Sequence, residues 1–256
     1  MKSLEECVVT ALDGSEPEIF PYIPYILQDL WEIGASPDII IDLIKKHKSD
    51  YKNLMVLDLG CGKGAVSVKS ALKLQCRCYG IDAVREFIEY ADIKAKEFGV
   101  ESICSFEVGD IRTKIKELND FDVVILGSIG PVLGNYYQTL MSLSKCTKAD
   151  GIFVIDEGYI DNYDTFSHPF VLKKDEILRQ ISKAGMRLHD EVIFNMDENE
   201  NQDRYILDRL TQRCLELIEI HPDKRKLFES YIRKQEYETE LLETKIICST
   251  MVIKRK

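Results

Sequence analysis

From residue 54 onward the chain alternates short apolar runs with longer stretches in which apolar positions recur every three or four residues. The runs predict strands over 54–58, 76–82, 103–108, 121–126 and 151–156, and the stretches between them predict helices over 63–74, 84–98 and 132–146. The strand runs are rich in Val, Ile and Leu, and most show little polar alternation. Such strands are buried on both faces, which implies a parallel sheet covered by helices. Strand–helix–strand repetition of this kind is a doubly wound α/β fold.

The flanks have a different rhythm. The first fifty residues read as helical: a proline-broken aromatic segment, Ile19-Phe20-Pro21-Tyr22-Ile23-Pro24-Tyr25, continues through Ile26–Trp31 to a stop at Gly34. Ser36-Pro37 then offers an N-cap and a first-turn proline for a further helix. After the last of the buried strands, a helix is predicted over 173–184 and a strand over 187–195. A polar turn at 197–201 leads to two amphipathic helices carrying Ile206, Leu210, Leu217, Phe228 and Tyr231, and a strand over 245–254 closes the pattern. The domain expectation is a helical segment at 1–50 and an α/β domain at 51–256, with a helical insertion at about 200–240.

Charge and cysteine usage narrow the partners. Of 256 residues, 45% are apolar and 30% charged, with a net charge of -10. This acidic balance disfavours a nucleic-acid partner, and the basic tail Lys254-Arg255-Lys256 is too short to reverse it. No apolar run approaches the roughly 18 residues of a membrane span, and the opening Met1-Lys2-Ser3-Leu4 is no signal peptide. The cysteines sit in apolar runs, and Cys76 and Cys78 share one face of a strand. They read as buried, reduced thiols rather than metal ligands, so no metal and a cytoplasmic location are expected.

The sharpest chemical signal is Val56-Leu57-Asp58-Leu59-Gly60-Cys61-Gly62-Lys63-Gly64, a buried strand running into a glycine turn that opens a helix. Glycines let the backbone turn tightly and approach a nucleotide-like ligand. Gly60, Gly62 and Ala65 also satisfy a loose dinucleotide fingerprint, so an NAD(P)-dependent oxidoreductase is an alternative. Asp58 counts against it. A carboxylate at that strand end, aimed at the crevice, opposes a pyrophosphate and favours a cationic ligand. Asp82 ends the next strand and Asp110 follows the third. Ligands of open α/β sheets bind at those carboxyl ends.

With Asp58-x-Gly60-x-Gly62-x-Gly64, Asp82 and Gly109-Asp110 in this order, residues 50–195 and the final strand resemble a class I S-adenosylmethionine-dependent methyltransferase. The resemblance implies a Rossmann-like sheet of seven strands, with the last strand antiparallel and inserted beside the fifth. It assigns Asp58, Gly60, Cys61 and Gly62 to the methionine moiety of S-adenosyl-L-methionine. It assigns Asp82 to the ribose hydroxyls and Asp110 with Ile111 to the adenine, and counts Ala83 and Gly127 among the cofactor-binding residues.

Gly127-Ser128-Ile129-Gly130-Pro131 departs from the Asn/Asp-Pro-Pro-aromatic motif of methyltransferases acting on bases or glutamine, so a small-molecule acceptor is expected. Methyl transfer from a sulfonium needs proximity and orientation first, and a general base only where the nucleophile must lose a proton. Candidates past the fifth strand are Asp156, Glu157, Tyr159 and His168; of these Glu157, Tyr159 and His168 are taken as catalytic. Tyr22 and Tyr25 either cover the cofactor or pack in the core. The helical pair at 203–238 is read as a lid over the substrate pocket, with a homodimer surface as the other reading. A non-catalytic relative of the same fold is a further alternative.

Overall fold

A computed structural model describes the backbone of residues 2–194 and 196–256, and their side chains apart from those of 196–201. Before the sheet come α1 (Leu4–Ala11), α2 (Ile23–Ile26) and α3 (Pro37–His47). Ser3 caps α1 by accepting from the Glu6 N–H, and the Glu6 side chain returns the bond to the Ser3 N–H, which satisfies two end donors at once. Pro37 begins α3 as expected, but the helical turn at α2 ends at Ile26, and residues 27–29 are a turn rather than helix.

The sheet and its helices then alternate: β1 (Met55–Leu59), α4 (Ala65–Leu74), β2 (Arg77–Asp82), α5 (Arg85–Glu97), β3 (Cys104–Val108), α6 (Ile111–Lys114), β4 (Phe121–Gly127), α7 (Tyr136–Leu143) and β5 (Thr147–Tyr159). Next come α8 (Lys174–Lys183), β6 (Met186–Ile193), α9 (Met196–Ile220), α10 (Arg225–Thr244) and β7 (Ile247–Arg255). The strand order is β3-β2-β1-β4-β5-β7-β6. β7 runs antiparallel to both β5 and β6, while the pairs among β1 to β5 are parallel.

Two apolar cores cover the two faces of the sheet. On one, Ile40, Ile41 and Ile44 of α3 pack with Val66 and Val68 of α4 over Val56, Val123, Ile125 and Val154. On the other, Leu140 and Leu143 of α7 and Ile177 and Ile181 of α8 cover Leu57, Val124, Phe153 and Met251. This is the burial on both faces that the apolar runs predicted. A third core lies off the sheet, where Val9, Ile19, Ile23 and Ile26 meet Leu210, Leu217, Phe228 and Tyr231 of α9 and α10. The early helices are therefore split: α3 belongs to the sheet, whereas α1 and α2 belong with the helical insertion.

Two further elements differ from the sequence expectation. The polar segment at 197–201 is helical backbone within α9. It holds neither Gly nor Pro, and acidic residues near a helix N-terminus are favoured by the backbone dipole. β5 begins at Thr147 and runs on to Tyr159, because β7 pairs with it as far as Tyr159 opposite Ile247. The predicted strand end at Asn195 lies outside the described residues. No described helix is long and apolar enough to cross a membrane.

Candidate active site

The floor of the site is made by the loops at the carboxyl ends of β1 to β5. Between β1 and α4, Gly60, Gly62 and Gly64 have φ of +70°, +51° and +74°. Gly64 has a second constraint: a Cβ there would lie 2.7 Å from the Ala91 Cβ, so α4 and α5 approach only over a glycine. The turn is pinned to β2, since the N–H groups of Gly60 and Cys61 both donate to the Ile81 carbonyl, at 2.8 and 3.1 Å. Asp82 completes the clamp. Its Oδ2 accepts from the Gly62 N–H and its Oδ1 from the Val84 N–H, each at 2.9 Å. Burial raises its pKa, against these backbone bonds that favour the charged form.

Asp110 caps α6 by accepting from the Arg112 N–H at 2.9 Å, and the Arg112 guanidinium forks onto both of its oxygens. That pairing holds its carboxyl below the usual range. Arg112 also donates to the Lys2 carbonyl and to the Cys7 thiol of α1, both at 3.0 Å, so the first helix is tied to the same acid.

Above this floor opens a cavity of about 710 Å³, within the usual size for a small-molecule site. Of the residues proposed from sequence, Gly60, Gly62, Asp82, Ala83, Asp110, Ile111 and Gly127 line it, as do Glu157 and His168. Asp58, Cys61 and Tyr159 do not. The Asp58 side chain turns under the glycine turn instead of into the crevice: it is 2% exposed and accepts from Ser67 Oγ at 2.7 Å. There it acts on the turn from below, and burial pushes its carboxyl to about 6. Cys61 points back toward β2 beside Gly80, so only its backbone serves the turn. Tyr159 is carried past the cavity by the extension of β5; it is buried in the sheet core with the Lys174 ammonium 4.2 Å from its ring centroid.

The remaining wall is acidic. Asp156 is buried and accepts from Thr250 Oγ1 at 2.8 Å and Ser128 Oγ at 3.3 Å, with its carboxyl raised to about 6 by burial. Next to it, Glu157 is raised to about 7 by burial first and by the Asp156 charge second, against a backbone hydrogen bond from Gly130. His168 accepts on Nδ1 from the N–H groups of Phe170 and Val171, at 3.3 and 3.2 Å. That leaves the proton of the neutral ring on Nε2.

The roof comes from α1, α9 and α10, with Val8, Ala11, Ile206, Leu210 and Tyr231 facing the cavity. Roof and floor meet at Lys63, inside the glycine turn. Its ammonium donates to the carbonyls of Leu27 and Leu30 at 2.5 and 2.7 Å, and its own carbonyl accepts from Trp31 Nε1 at 3.0 Å. Burial lowers this lysine to about 8. Asp13, at the C-terminal side of α1, has φ of +56° and lies beside Glu238 of α10; burial and that charge raise it to about 7. Neither Tyr22 nor Tyr25 lines the cavity. Tyr22 packs edge-on against Phe228, and the Tyr25 hydroxyl donates to Glu216 at 2.8 Å.

Sequence reasoning missed Lys63, Arg112 and the whole contribution of α1. Lys63 is a lysine inside a glycine motif, where its destination depends on the turn after α2, more than thirty residues earlier. Among the described residues no group of three or more His, Cys, Asp and Glu side chains is arranged to hold a metal ion.

Comparison with known proteins agrees with this fold. A family model described as "Methyltransferase domain" matches residues 50–233. The chain is 26% identical over 185 residues to a ubiquinone biosynthesis O-methyltransferase of Rickettsia canadensis, covering 63% of this chain and 75% of that one. It is 32% identical over 185 residues to the enzyme of the same name from Rickettsia typhi, covering 63% and 72%. Among solved structures, a SAM-dependent methyltransferase from Geobacter sulfurreducens in complex with S-adenosyl-L-homocysteine superposes with a TM-score of 0.76 at 18% identity, covering 92% of this chain and 98% of that one. The family match spans most of the chain and takes in β1 to β6. The chain belongs to the methyltransferase-domain family and is a class I S-adenosylmethionine-dependent methyltransferase.

Proposed function

We propose that the floor of the large cavity binds S-adenosyl-L-methionine and that its roof encloses a small-molecule methyl acceptor. The observation that carries this is the joining of the glycine turn, Asp82 and Asp110 in one cavity closed from above by helices. A macromolecular acceptor would have to displace α1, α9 and α10, whereas a small one fits beneath them.

The residues fit this cofactor better than a dinucleotide. Asp82, Asp110, Asp156 and Glu157 all line the cavity, and the lysine of the glycine turn is directed away into the carbonyls of Leu27 and Leu30. A pyrophosphate would meet carboxylates with no cation supplied by the turn, while an ammonium and a sulfonium suit them. Each oxygen of Asp82 is already oriented by one backbone N–H and keeps lone-pair capacity for a ribose hydroxyl. The Gly60–Gly62 backbone forms the surface beside the methionine end, and Ile111 offers an apolar contact to the adenine.

When bound, the cofactor supplies a methyl group already activated on a sulfonium. The chain's own contribution is then to align the acceptor, exclude water under the roof and take up a proton. Holding two reactants in line is worth about 7–11 kcal/mol of barrier. Glu157 is the proton acceptor in this reading, since it lines the cavity and titrates near neutrality. His168 has its Nδ1 occupied by backbone donors, so its Nε2–H serves to orient a polar group of the acceptor. Tyr159, off the cavity, has no part in it.

Isothermal titration tests the reading. S-adenosylmethionine and S-adenosylhomocysteine are expected to bind in the micromolar range, and NAD and NADP to give no saturable heat. Tight NAD binding without heat from S-adenosylmethionine would overturn it.

A further inference from the structure

Beside the main cavity, behind the end of β4, lies a second one of about 280 Å³. Ile129, Gly130, Pro131, Glu157 and Phe170 line both, so Glu157 stands at the junction between them. The inner wall of the second cavity is apolar, with Leu126, Leu133, Ile155 and Leu172. The other polar side chains on this wall are Asn135, Thr139 and Tyr136. Asn135 is used in capping α7, where it accepts from the Gln138 N–H at 3.0 Å, and Thr139 donates to the Gly134 carbonyl at 3.3 Å. The Tyr136 hydroxyl is different: it is buried and has no hydrogen-bond partner among the described residues. A buried donor left unpaired is costly and rare in folded proteins, and it marks a place where another group belongs.

The chemistry of that group follows from what is left open. Burial, with Glu157, Glu191 and Asp156 nearby, pushes the Tyr136 phenol well up, so it stays protonated and acts as a donor. Glu157, at the junction, is the acceptor. A hydroxyl accepts from Tyr136 and donates to Glu157 at the same time. An ammonium brings only donors and leaves the tyrosine hydrogen unpaired, whereas an ether or ketone brings only acceptors and leaves the carboxylate unpaired.

We propose that this side cavity is the acceptor subsite, and that it selects a compact, largely apolar molecule carrying a hydroxyl group held between Tyr136 and Glu157. The inference rests on the methyl-transfer reading and names the substrate class for it. In the reaction the hydroxyl oxygen forms the new C–O bond as the C–S bond of the sulfonium breaks, with that electron pair going to sulfur. The hydroxyl proton passes to the Glu157 carboxylate, and the products are a methyl ether and a neutral thioether. Tyr136 binds and orients the oxygen and is not consumed.

The test uses the full chain saturated with S-adenosylhomocysteine and three probes followed by ligand-observed and methyl NMR: 4-propylphenol, its methyl ether, and 3-phenylpropylammonium. The phenol is expected to saturate and to shift the methyl signals of Ile129 and Leu172, and to bind more tightly than either other probe. Tyr136→Phe should weaken the phenol about 3- to 10-fold, the range for one neutral hydrogen bond, with S-adenosylhomocysteine affinity within twofold and thermal stability unchanged or raised. Leu172→Phe, which adds bulk at another lining position of the side cavity, should abolish phenol binding and spare the cofactor product. The proposal is overturned if the ammonium or the ether binds as tightly as the phenol, or if Tyr136→Phe leaves the phenol unaffected. Absence of S-adenosylhomocysteine binding, with the phenol still saturating, would overturn the cofactor reading and leave the side cavity's selectivity standing.

Discussion

The floor and the roof of the site are built by different means. The floor uses backbone: N–H groups of the glycine turn reach Ile81 and Asp82, and Asp82 and Asp110 are oriented by the chain next to them. The roof uses side chains: α1 and α2 share an apolar core with α9 and α10 that the sheet does not need. A backbone-built surface changes little with substitution, which suits an invariant cofactor. A side-chain-built surface can be repacked with size-matched apolar residues, which suits an acceptor that differs from relative to relative. Glu157, the proposed proton acceptor, stands at the junction of the main cavity with its side cavity.

Removing that carboxylate should have the largest effect. Glu157→Gln is expected to lower kcat by about 10²–10⁴-fold while calorimetric cofactor affinity holds within twofold. Because burial raises the Glu157 carboxyl to about 7, the base is protonated and idle in acid. The kcat/KM profile should therefore climb with pH through about 7 and level off above it. A flat profile across that range would assign the proton to another group.

The independence of the roof is tested by Phe228→Ala. This side chain is 0% exposed and packs on Tyr22 with ring centroids 5.0 Å apart. The loss should be about 3–5 kcal/mol, and hydrogen exchange should rise in α1, α2, α9 and α10 while amides of β1 and β4 stay protected. If the strands lose protection in step with the helices, roof and floor are one cooperative unit and the contrast fails.

For the floor, Asp82→Ala should weaken cofactor binding by about 1.5–3 kcal/mol, the range for hydrogen bonds to a charged group, measured by titration calorimetry. The smallest effect is expected at Asp58, beneath the turn. Its folded carboxyl titrates near 6, above the reference 3.8. The folded state thus holds its proton longer than the unfolded state does, so the stability it contributes is present below the lower value and lost as pH rises through about 6. Asp58→Asn keeps a partner for Ser67 and has no such loss. The variant should gain on the native protein by about 2 kcal/mol between pH 4 and pH 8, read from denaturation midpoints. An unchanged difference across that range would mean the buried carboxyl is not the titrating group.

The same contrast explains what could be read from the sequence. The strands, their parallel order and the glycine turn were legible because they are written in local signals: apolar runs, and glycines at fixed spacing. Asp82 and Asp110 were legible because the carboxyl ends of parallel strands face one crevice. Asp58 was misjudged in direction, since whether a strand-end side chain points up or down depends on Ser67 in the next helix. Tyr159 was misplaced because the length of β5 is set by β7, far away in sequence. The roof was least legible: α1 joins it through an apolar core shared with α9 and α10 and through Arg112, Lys63 holds the segment after α2, and the unpartnered Tyr136 hydroxyl shows only in the folded structure.

The position of β7 sets an order on the making of the molecule. Each of the first five strands finds a parallel neighbour already synthesised or next in line, so that half of the sheet can assemble as the chain is produced. β6 cannot, because the strand beside it is β7, which follows α9 and α10 in the sequence. Until β7 slides between β5 and β6, two strand edges stand open and the helical insertion has no fixed ends. Insertion of a late strand between two early ones is a long-range closure, the slow kind of folding step. It is also the interval in which unpaired edges are exposed to other chains. The acidic wall, which borrows Thr250 of β7 to hold Asp156, is therefore the last part of the site to take shape.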